Sequence, residues 1–291
     1  MKKLIILFLL MPLWVAAQRD YTIMAVNHTE LAPNVHRLFV GNVVTMVAFA
    51  GPDGLMLIDA AYEQTTKQVK DTLQRIVGQP VRYLVNTHLH ADHTGGNTEL
   101  GKGADIIAHH SVKTWLVSDR KQGERIPGPM PVHAIPNITF EGTLNMDFNG
   151  QQVQLRHLPN SHTAGDIIIY LSHSNVLVLG DLLFADNFPF VDVNQGGNPL
   201  NFIKSLHWVT ENFPDNVVIV GGHGPVYNMA QLKTYLANLV QTIAVITEAK
   251  TAGFTAEQMK QQRILAQWES FGKFFITEDR WIDTLYPYVG L

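Results

Sequence analysis

The sequence predicts an α/β fold in which two β-sheets pack face to face with helices outside. Runs rich in Val, Leu, Ile and Phe alternate with turn signals such as Gly51-Pro52-Asp53-Gly54, which is typical of strands. Strands and helices are followed by strands and helices again, so each half is expected to supply one sheet and its covering helices. The 291 residues are 46% hydrophobic and contain no internal repeat, so we expect one domain with a large core.

The elements are predicted from apolar spacing and from the turns between them. In the first half, strands are expected at Val35–Val40, Val43–Phe49, Leu55–Asp59 and Val81–Val85, and helices at Glu63–Val77 and Ser111–Ser118. In the second half, strands are expected at Ile138–Phe148, Gln152–Leu158, Asp166–Leu171, Val176–Leu179 and Val217–Val220, and helices at Pro199–Phe213 and Met229–Thr251. The last forty or so residues are expected to form two or three short helices.

The N-terminus has the pattern of a secretory signal peptide. Lys2 and Lys3 precede an apolar run from Leu4 to Ala17, which is short for a membrane span. Cleavage is predicted near Ala17, so residues 1–17 are assigned to the signal and 18–291 to the domain. The mature protein is then expected in the periplasm or secreted, without stable membrane insertion. A single membrane anchor is the alternative interpretation.

The composition limits the chemistry that the chain can perform. It contains no cysteine, which excludes disulfides, thiolate ligands and a cysteine nucleophile, and it contains 13 histidines. The net charge of -4 argues against a nucleic-acid partner, so a small-molecule substrate is expected. A metal would therefore be bound by histidine and carboxylate. His109 and His110 are expected at a solvated helix start.

Three histidines and one aspartate follow the predicted strand Val81–Val85. The segment is Thr87-His88-Leu89-His90-Ala91-Asp92-His93-Thr94-Gly95-Gly96. In extended chain, side chains two residues apart point the same way, so His88 and His90 are expected to face one point. Asp92 and His93 lie where the chain turns into a helix and are expected to face a second point nearby. This ligand set suits a borderline metal such as zinc.

Three further ligand-type residues lie at the ends of predicted strands. His162 precedes one strand, and Asp181 and His223 each follow another. Strand ends that open on one edge of a sheet converge on a single cleft. We therefore expect these residues to complete a metal site with the segment from His88 to His93.

These motifs resemble the metallo-β-lactamase superfamily over roughly residues 35–226. The resemblance implies an αββα sandwich of two mixed sheets, with two zinc ions per chain at one edge between the sheets. It implies the ligands His88, His90 and His162 for the first ion and Asp92, His93 and His223 for the second, with Asp181 bridging them. Asp59, at the end of a predicted strand, would hold the ligands in orientation from behind.

The resemblance also implies hydrolysis by a hydroxide held between the two zinc ions. Asp92 is the candidate catalytic residue, because its carboxylate would orient the hydroxide and move a proton to the leaving group. We therefore predict an exported zinc-dependent hydrolase that opens a cyclic amide or ester in a β-lactamase-like manner.

Two alternatives remain open at this point. Asp181 stands where two classes of true β-lactamase have Cys and the third has Ser. Aspartate there resembles homoserine-lactone lactonases and glyoxalase-II-type thioesterases, so a lactonase or a thioester hydrolase is one alternative. A non-catalytic periplasmic zinc-binding protein is the other, although a carrier needs no carboxylate such as Asp92 beside a water.

Substrate contacts are expected from loops near the cleft. The candidates are the loop Ala185–Asn198 with Phe188, Phe190, Asn194 and Asn198, the Pro-rich and Gly-rich segment Lys121–Pro136, and Tyr227.

Overall fold

The computed structural model describes residues 23–119 and 128–290, so the predicted signal segment lies outside the described residues. Two mixed β-sheets form the centre of the molecule, one of seven strands and one of five. Helices cover the outer faces, which confirms the predicted α/β sandwich. Within the described residues, no helix is long and apolar enough to cross a membrane.

The first sheet contains seven strands in sequence order. They are β1 (Val26–Ala32), β2 (Val35–Val40), β3 (Val44–Gly51), β4 (Gly54–Ile58), β5 (Val81–Val85), β6 (Asp105–His109) and β7 (Ile138–Phe140). Neighbours from β1 to β4 pair antiparallel, because short turns connect them. Neighbours from β4 to β7 pair parallel, with helical or irregular crossovers between them.

The second sheet runs in the order β12, β11, β10, β9, β8. Its strands are β8 (Thr143–Phe148), β9 (Gln151–His157), β10 (Ile167–Leu171), β11 (Val176–Phe184) and β12 (Val218–His223). The pairing is antiparallel except between β11 and β12, which are parallel and joined by a helical crossover.

Eight α-helices are described, of which two are single turns beside the site. They are α1 (Thr66–Ile76), α2 (Ala91–Thr94), α3 (Asn97–Leu100), α4 (His110–Val117), α5 (Pro199–Asn212), α6 (Met229–Thr251), α7 (Ala256–Gln261) and α8 (Glu278–Leu285). A 3-10 helix, Ala266–Lys273, precedes α8. Helix α6 begins at a capping box in which Asn228 and Gln231 satisfy each other's backbone N–H groups. Its predicted bounds are confirmed.

Both faces of the central strands are buried, which explains their unbroken apolar runs. In β11, Val176 and Val178 pack into the core between the sheets, whereas Leu177 and Leu179 pack under the outer helices. Successive side chains of a strand point to opposite faces, so a strand covered on both sides is apolar at every position.

The structure corrects the predicted elements in three places. Residues 138–148 form two strands, because the chain turns at Glu141-Gly142 and passes from the first sheet to the second. The short strand β6 was not predicted, since its polar ends leave only three apolar residues. Strand β11 continues to Phe184, so Asp181 lies within it rather than after it.

Candidate metal centre

Three imidazoles converge at the edge where the two sheets meet. His88 and His90 lie in the bend that follows β5, and His162 lies in the turn between β9 and β10. Nδ1 of His90 lies 3.1 Å from Nε2 of His88 and 2.9 Å from Nε2 of His162. The predicted convergence of His88 and His90 on one point is therefore what the structure shows, and His162 shares that point.

A second group contains Asp92, His93 and His223. Oδ2 of Asp92 lies 3.8 Å from Nε2 of His93 and 3.5 Å from Nε2 of His223. Helix α2 carries the first two residues, and His223 is the last residue of β12. These residues offer ligand atoms within reach of one ion, as do His88, His90, His162 and Asp181.

Asp181 lies between the two groups. Its Oδ2 is 3.7 Å from Nε2 of His88 and 3.5 Å from Nε2 of His162, whereas its Oδ1 is 3.1 Å from Nε2 of His93 and 3.3 Å from Nε2 of His223. The register between β11 and β12 shifts on both sides of Gly180. Such irregularities re-aim side chains beside active sites. One oxygen of Asp181 therefore faces each group.

Each of the five histidines is held by the ring nitrogen that points away from the centre. The pairs are His88 Nδ1 with Thr87 Oγ1, His90 Nε2 with Asp192 Oδ2, His93 Nδ1 with Asp59 Oδ2, His162 Nδ1 with the Phe190 carbonyl, and His223 Nδ1 with the Val43 carbonyl. Carboxylates and carbonyls only accept, so four of these nitrogens donate. Thr87 Oγ1 donates to Asp59 and is thereby left to accept from His88. The inward nitrogen of each neutral ring then carries a lone pair.

The inward atoms fit a cation rather than one another. His93 Nε2 and Asp181 Oδ1 are buried and have no hydrogen-bond partner among the described residues. Buried polar groups without partners are costly, and the inward lone pairs of the first group, which face one another at about 3 Å, repel. In the second group the fields of the neighbouring carboxylates, Asp181 foremost, together outweigh burial and raise the pKa of His93 and His223, so these inward atoms require a positive charge between them. Nitrogen and oxygen donors in this number are the ligands that zinc takes. The residues therefore fit one divalent metal ion at each group.

The electrostatics favour neutral ligand imidazoles in the first group. Burial lowers the pKa of His162 to about 4. Burial, followed by the field of His93, also places the pKa of His88 well below its usual value. Both rings are therefore neutral at neutral pH, which is the form that binds metal.

Asp59 supports the second group from behind. It directly follows β4 with a φ of 63° and is buried. Its carboxylate accepts hydrogen bonds from the backbone N–H and hydroxyl of Thr87 and from Nδ1 of His93. These contacts tie the His88 segment to the end of β4, at the position where the sequence predicts support for the ligands.

Asp192 was not predicted and plays the corresponding part for the first group. Its Oδ2 accepts from His90 Nε2, and its Oδ1 accepts from the backbone N–H groups of Asn194 and Gln195. It lies about 100 residues from His90 in sequence, in an irregular loop. No local pattern marks this residue, because the pairing exists only once the two sheets have packed.

A cavity of about 610 Å³ opens over the two groups. Its floor includes His90, Asp92, Asp181 and His223. Aromatic side chains form much of its wall, namely Tyr62, Trp115, Phe184, Phe190, Phe274 and Phe275. The volume falls in the range of sites that hold a small molecule.

Of the predicted substrate-contact residues, Phe190 lines this cavity and four others do not. Phe188 is 1% exposed and packs between Phe271 and Trp281 in the core. Asn198 is the N-cap of α5, where its side chain accepts from two backbone N–H groups.

The other two candidates are also placed elsewhere. The hydroxyl of Tyr227, which is buried, bonds to the carboxylate and backbone N–H of Asp186. Asn194 is exposed on a 3-10 turn beside the cavity residues Asp192 and Gln195. The predicted loop Ala185–Asn198 does border the cavity, through Phe190, Asp192 and Gln195. Residues 121–127 of the other predicted loop lie outside the described residues.

The fold and the site together define a two-sheet α/β protein with a histidine-aspartate metal centre at one sandwich edge. The family model of the metallo-beta-lactamase superfamily matches residues 38–223. The chain therefore belongs to the metallo-β-lactamase superfamily.

Three known proteins are similar to this chain. The probable metallo-hydrolase YqgX of Bacillus subtilis is 27% identical over 142 residues, which span 48% of this chain and 66% of that protein, just under two thirds. A metallo-β-lactamase from Pontibacter korlensis has a TM-score of 0.61 and 21% identity, covering 74% of this chain and 98% of its own. The inverting sec-alkylsulfatase Pisa1 from Pseudomonas sp. has a TM-score of 0.69 and 16% identity, and the match covers 91% of this chain and 50% of the sulfatase. At these identities the two structures show the fold alone, while the superfamily and YqgX support a metal-dependent hydrolase.

Proposed function

We propose that this protein is an exported zinc-dependent hydrolase that holds two zinc ions per chain and opens a cyclic amide or ester. One observation carries the proposal: all five central histidines are fixed by an outward hydrogen bond and present the other nitrogen inward. Metal-ligating histidines are typically oriented in this way. Three of these nitrogens lie on one side of Asp181 and two on the other.

The residues divide into two ligand sets. The first zinc would be held by His88, His90 and His162, and the second by Asp92, His93 and His223, with Asp181 offered to both. When bound, zinc lowers the pKa of a coordinated water to about 7 and polarises the carbonyl of the substrate.

Asp92 is the residue proposed to handle protons. It lines the cavity with a side chain that is 13% exposed, whereas the Asp181 side chain is 4% exposed. Its carboxylate is therefore positioned to orient an attacking water and to pass the proton to the leaving atom. Asp181 is buried between imidazoles and would act only as a ligand.

The cavity supports a small, largely apolar substrate. Its wall is aromatic, and its acidic floor belongs to the ligand sets. A β-lactam, a lactone or a thioester would each place a carbonyl on this floor, with lactonase or thioesterase activity as the alternative. The panel that separates them is nitrocefin, a homoserine lactone and S-lactoylglutathione on zinc-loaded protein. Ring opening of nitrocefin supports the β-lactamase-like proposal, whereas hydrolysis of the lactone alone supports the lactonase alternative. Rapid thioester cleavage with inert nitrocefin would overturn the proposal.

A non-catalytic zinc carrier is the alternative of another class, and Asp92→Asn separates the two. Assayed at a zinc concentration that fills both ligand sets, this variant is expected to lose at least about 100-fold in kcat. Asp215→Asn, which changes an exposed carboxylate that pairs with Lys233, is the matched control. Full activity of zinc-loaded Asp92→Asn would contradict the proposed role. Export is tested separately by N-terminal sequencing of the mature protein, which is expected to begin near Gln18.

A further inference from the structure

Residues 273–275 form part of the wall of the cavity. They lie between the 3-10 helix that ends at Lys273 and helix α8. All three residues line the cavity together with the metal-binding side chains. The superfamily match ends at residue 223, so this part of the wall comes from the helical C-terminal region. It is therefore a feature of this chain beyond the shared ligand pattern.

The segment is attached to the rest of the site on two sides. The carbonyl of Phe271 accepts from the backbone N–H of Phe188, a core residue. The Phe275 ring lies 5.6 Å from the Phe190 ring in an edge-on arrangement, and the Phe190 ring in turn stacks on His90 at 5.7 Å. On its other side, Arg280 donates to the Phe275 carbonyl and lies over its ring. These contacts hold the segment against the first ligand group.

Two phenyl rings of this segment remain exposed at the cavity. Phe274 is 43% exposed and Phe275 is 41% exposed, whereas most large apolar side chains of the described residues are buried. The Phe274 ring lies 6.2 Å from that of His223, so it borders the second ligand group. Adjacent exposed aromatic side chains at a cavity mark a surface that an apolar ligand covers.

Lys273 supplies the positive charge of this wall. It is the one lysine or arginine among the cavity-lining residues of the described chain. Its ammonium is exposed and makes no ion pair within residues 23–119 and 128–290. The three carboxylates that line the cavity each lie beside an imidazole: Asp92 and Asp181 beside His223, and Asp192 beside His90. The cation is therefore available to an anionic group of a ligand.

We propose that the substrate has an aromatic or bulky apolar body, which packs on Phe274 and Phe275, and an anionic group, which pairs with Lys273. The scissile carbonyl then lies over the ligand groups on the floor. This inference rests on the proposed hydrolase function and adds the chemistry of the substrate that the C-terminal segment selects.

Calorimetric binding to the zinc-loaded full chain tests the inference without turnover. The probes are N-benzoylglycine, which is anionic, and N-benzoylglycinamide, its neutral counterpart. We expect the wild type to bind the anion about fivefold more tightly, the size of an exposed ion pair. Lys273→Met is expected to abolish this preference. Lys204→Met, which changes an exposed lysine of α5 away from the cavity, is expected to preserve it.

The aromatic part of the inference has its own variant. Phe274→Ala combined with Phe275→Ala is expected to weaken both probes by about tenfold, since it removes apolar contact area without touching the charge. Zinc content and circular dichroism establish that each variant is folded.

An unchanged anion preference in Lys273→Met, or unchanged affinities in the double variant, would overturn the inference. Failure of the wild type to bind N-benzoylglycine would also overturn it. If the protein fails one of these binding tests but still shows zinc-dependent hydrolysis, only the proposed substrate class is refuted. If the probes bind as expected but the protein hydrolyses no substrate, only the hydrolase function is refuted.

Discussion

Asp192 Oδ2 lies 2.9 Å from Nε2 of His90, the ring nitrogen that points away from the other histidines. This contact fixes the tautomer that leaves Nδ1 of His90 facing His88 and His162. Asp59 does the same for His93 in the second group. Each ligand group is therefore oriented by one carboxylate that lies outside it. Asp59 follows β4 of the first sheet, whereas Asp192 lies in the loop that follows β11 of the second sheet.

Asp192→Asn tests the first of these contacts. The amide keeps the size of the side chain but can place a donor opposite His90 Nε2, so His90 loses its fixed tautomer. We expect the affinity for zinc at the first group to fall about 10- to 100-fold. Zinc titration of the metal-free protein measures this change, with Asp215→Asn as the surface control. Equal zinc affinities in Asp192→Asn and wild type would contradict the positioning role.

Gly222→Ala tests how closely the backbone of β12 approaches Asp181. A Cβ at this position would overlap Oδ1 of Asp181 and lie 3.1 Å from Cε1 of His93. The carboxylate has to move, so we expect second-group zinc affinity to fall at least about 10-fold. Gly142→Ala is the matched control, because its Cβ would meet no atom within 4 Å. If both variants bind two zinc ions with wild-type affinity, the described packing around Asp181 is wrong.

Phe188→Ala separates a core role from the predicted substrate contact. Because this ring is buried between Phe271 and Trp281, we expect the free energy of unfolding to fall by about 3–5 kcal/mol. Folded protein is expected to keep its KM. Phe274→Ala is the comparison, with little loss of stability because its ring is exposed. Chemical denaturation and steady-state kinetics measure the two effects, and a raised KM with intact stability would restore Phe188 as a contact residue.

His109 gives the protein a pH-dependent stability. The side chain is buried, contrary to the expected solvated helix start, and its ring stacks on His157 at 3.7 Å. Burial and the field of His157 lower the pKa of His109 to about 4. Between pH 6.5 and pH 4 the unfolded chain therefore binds a proton that the folded chain does not. Stability falls as the pH falls through this window, by at most about 3 kcal/mol from this group.

His109→Gln is expected to remove that part of the acid dependence. Denaturation at pH 7 and at pH 4 should show a smaller difference in this variant than in wild type. His110→Gln changes the exposed neighbour and is expected to leave the difference unchanged. The same acid dependence in His109→Gln and wild type would show that this group does not titrate as described.

The sequence predicts the layered fold and the clustering of the segment from His88 to His93 well, because both depend on local spacing. The segment from His88 to His93 follows a strand whose bounds, Val81–Val85, are those predicted. Asp192 and residues 273–275 carry no such signal, since their role arises when distant segments pack together. Phe188 and Tyr227 are buried instead of facing the cavity, and the sequence does not show this because an aromatic residue in a loop has no pattern that reveals where its side chain points.

Zinc titration of chelator-treated wild-type protein, followed by calorimetry and by hydrolysis of the substrate found in the panel, tests the central claim most directly. Two ligand groups that share Asp181 predict two zinc ions bound per chain, with activity restored as they bind. Protein that binds no stoichiometric zinc, or that hydrolyses the substrate equally well after the metal is removed, would contradict the account.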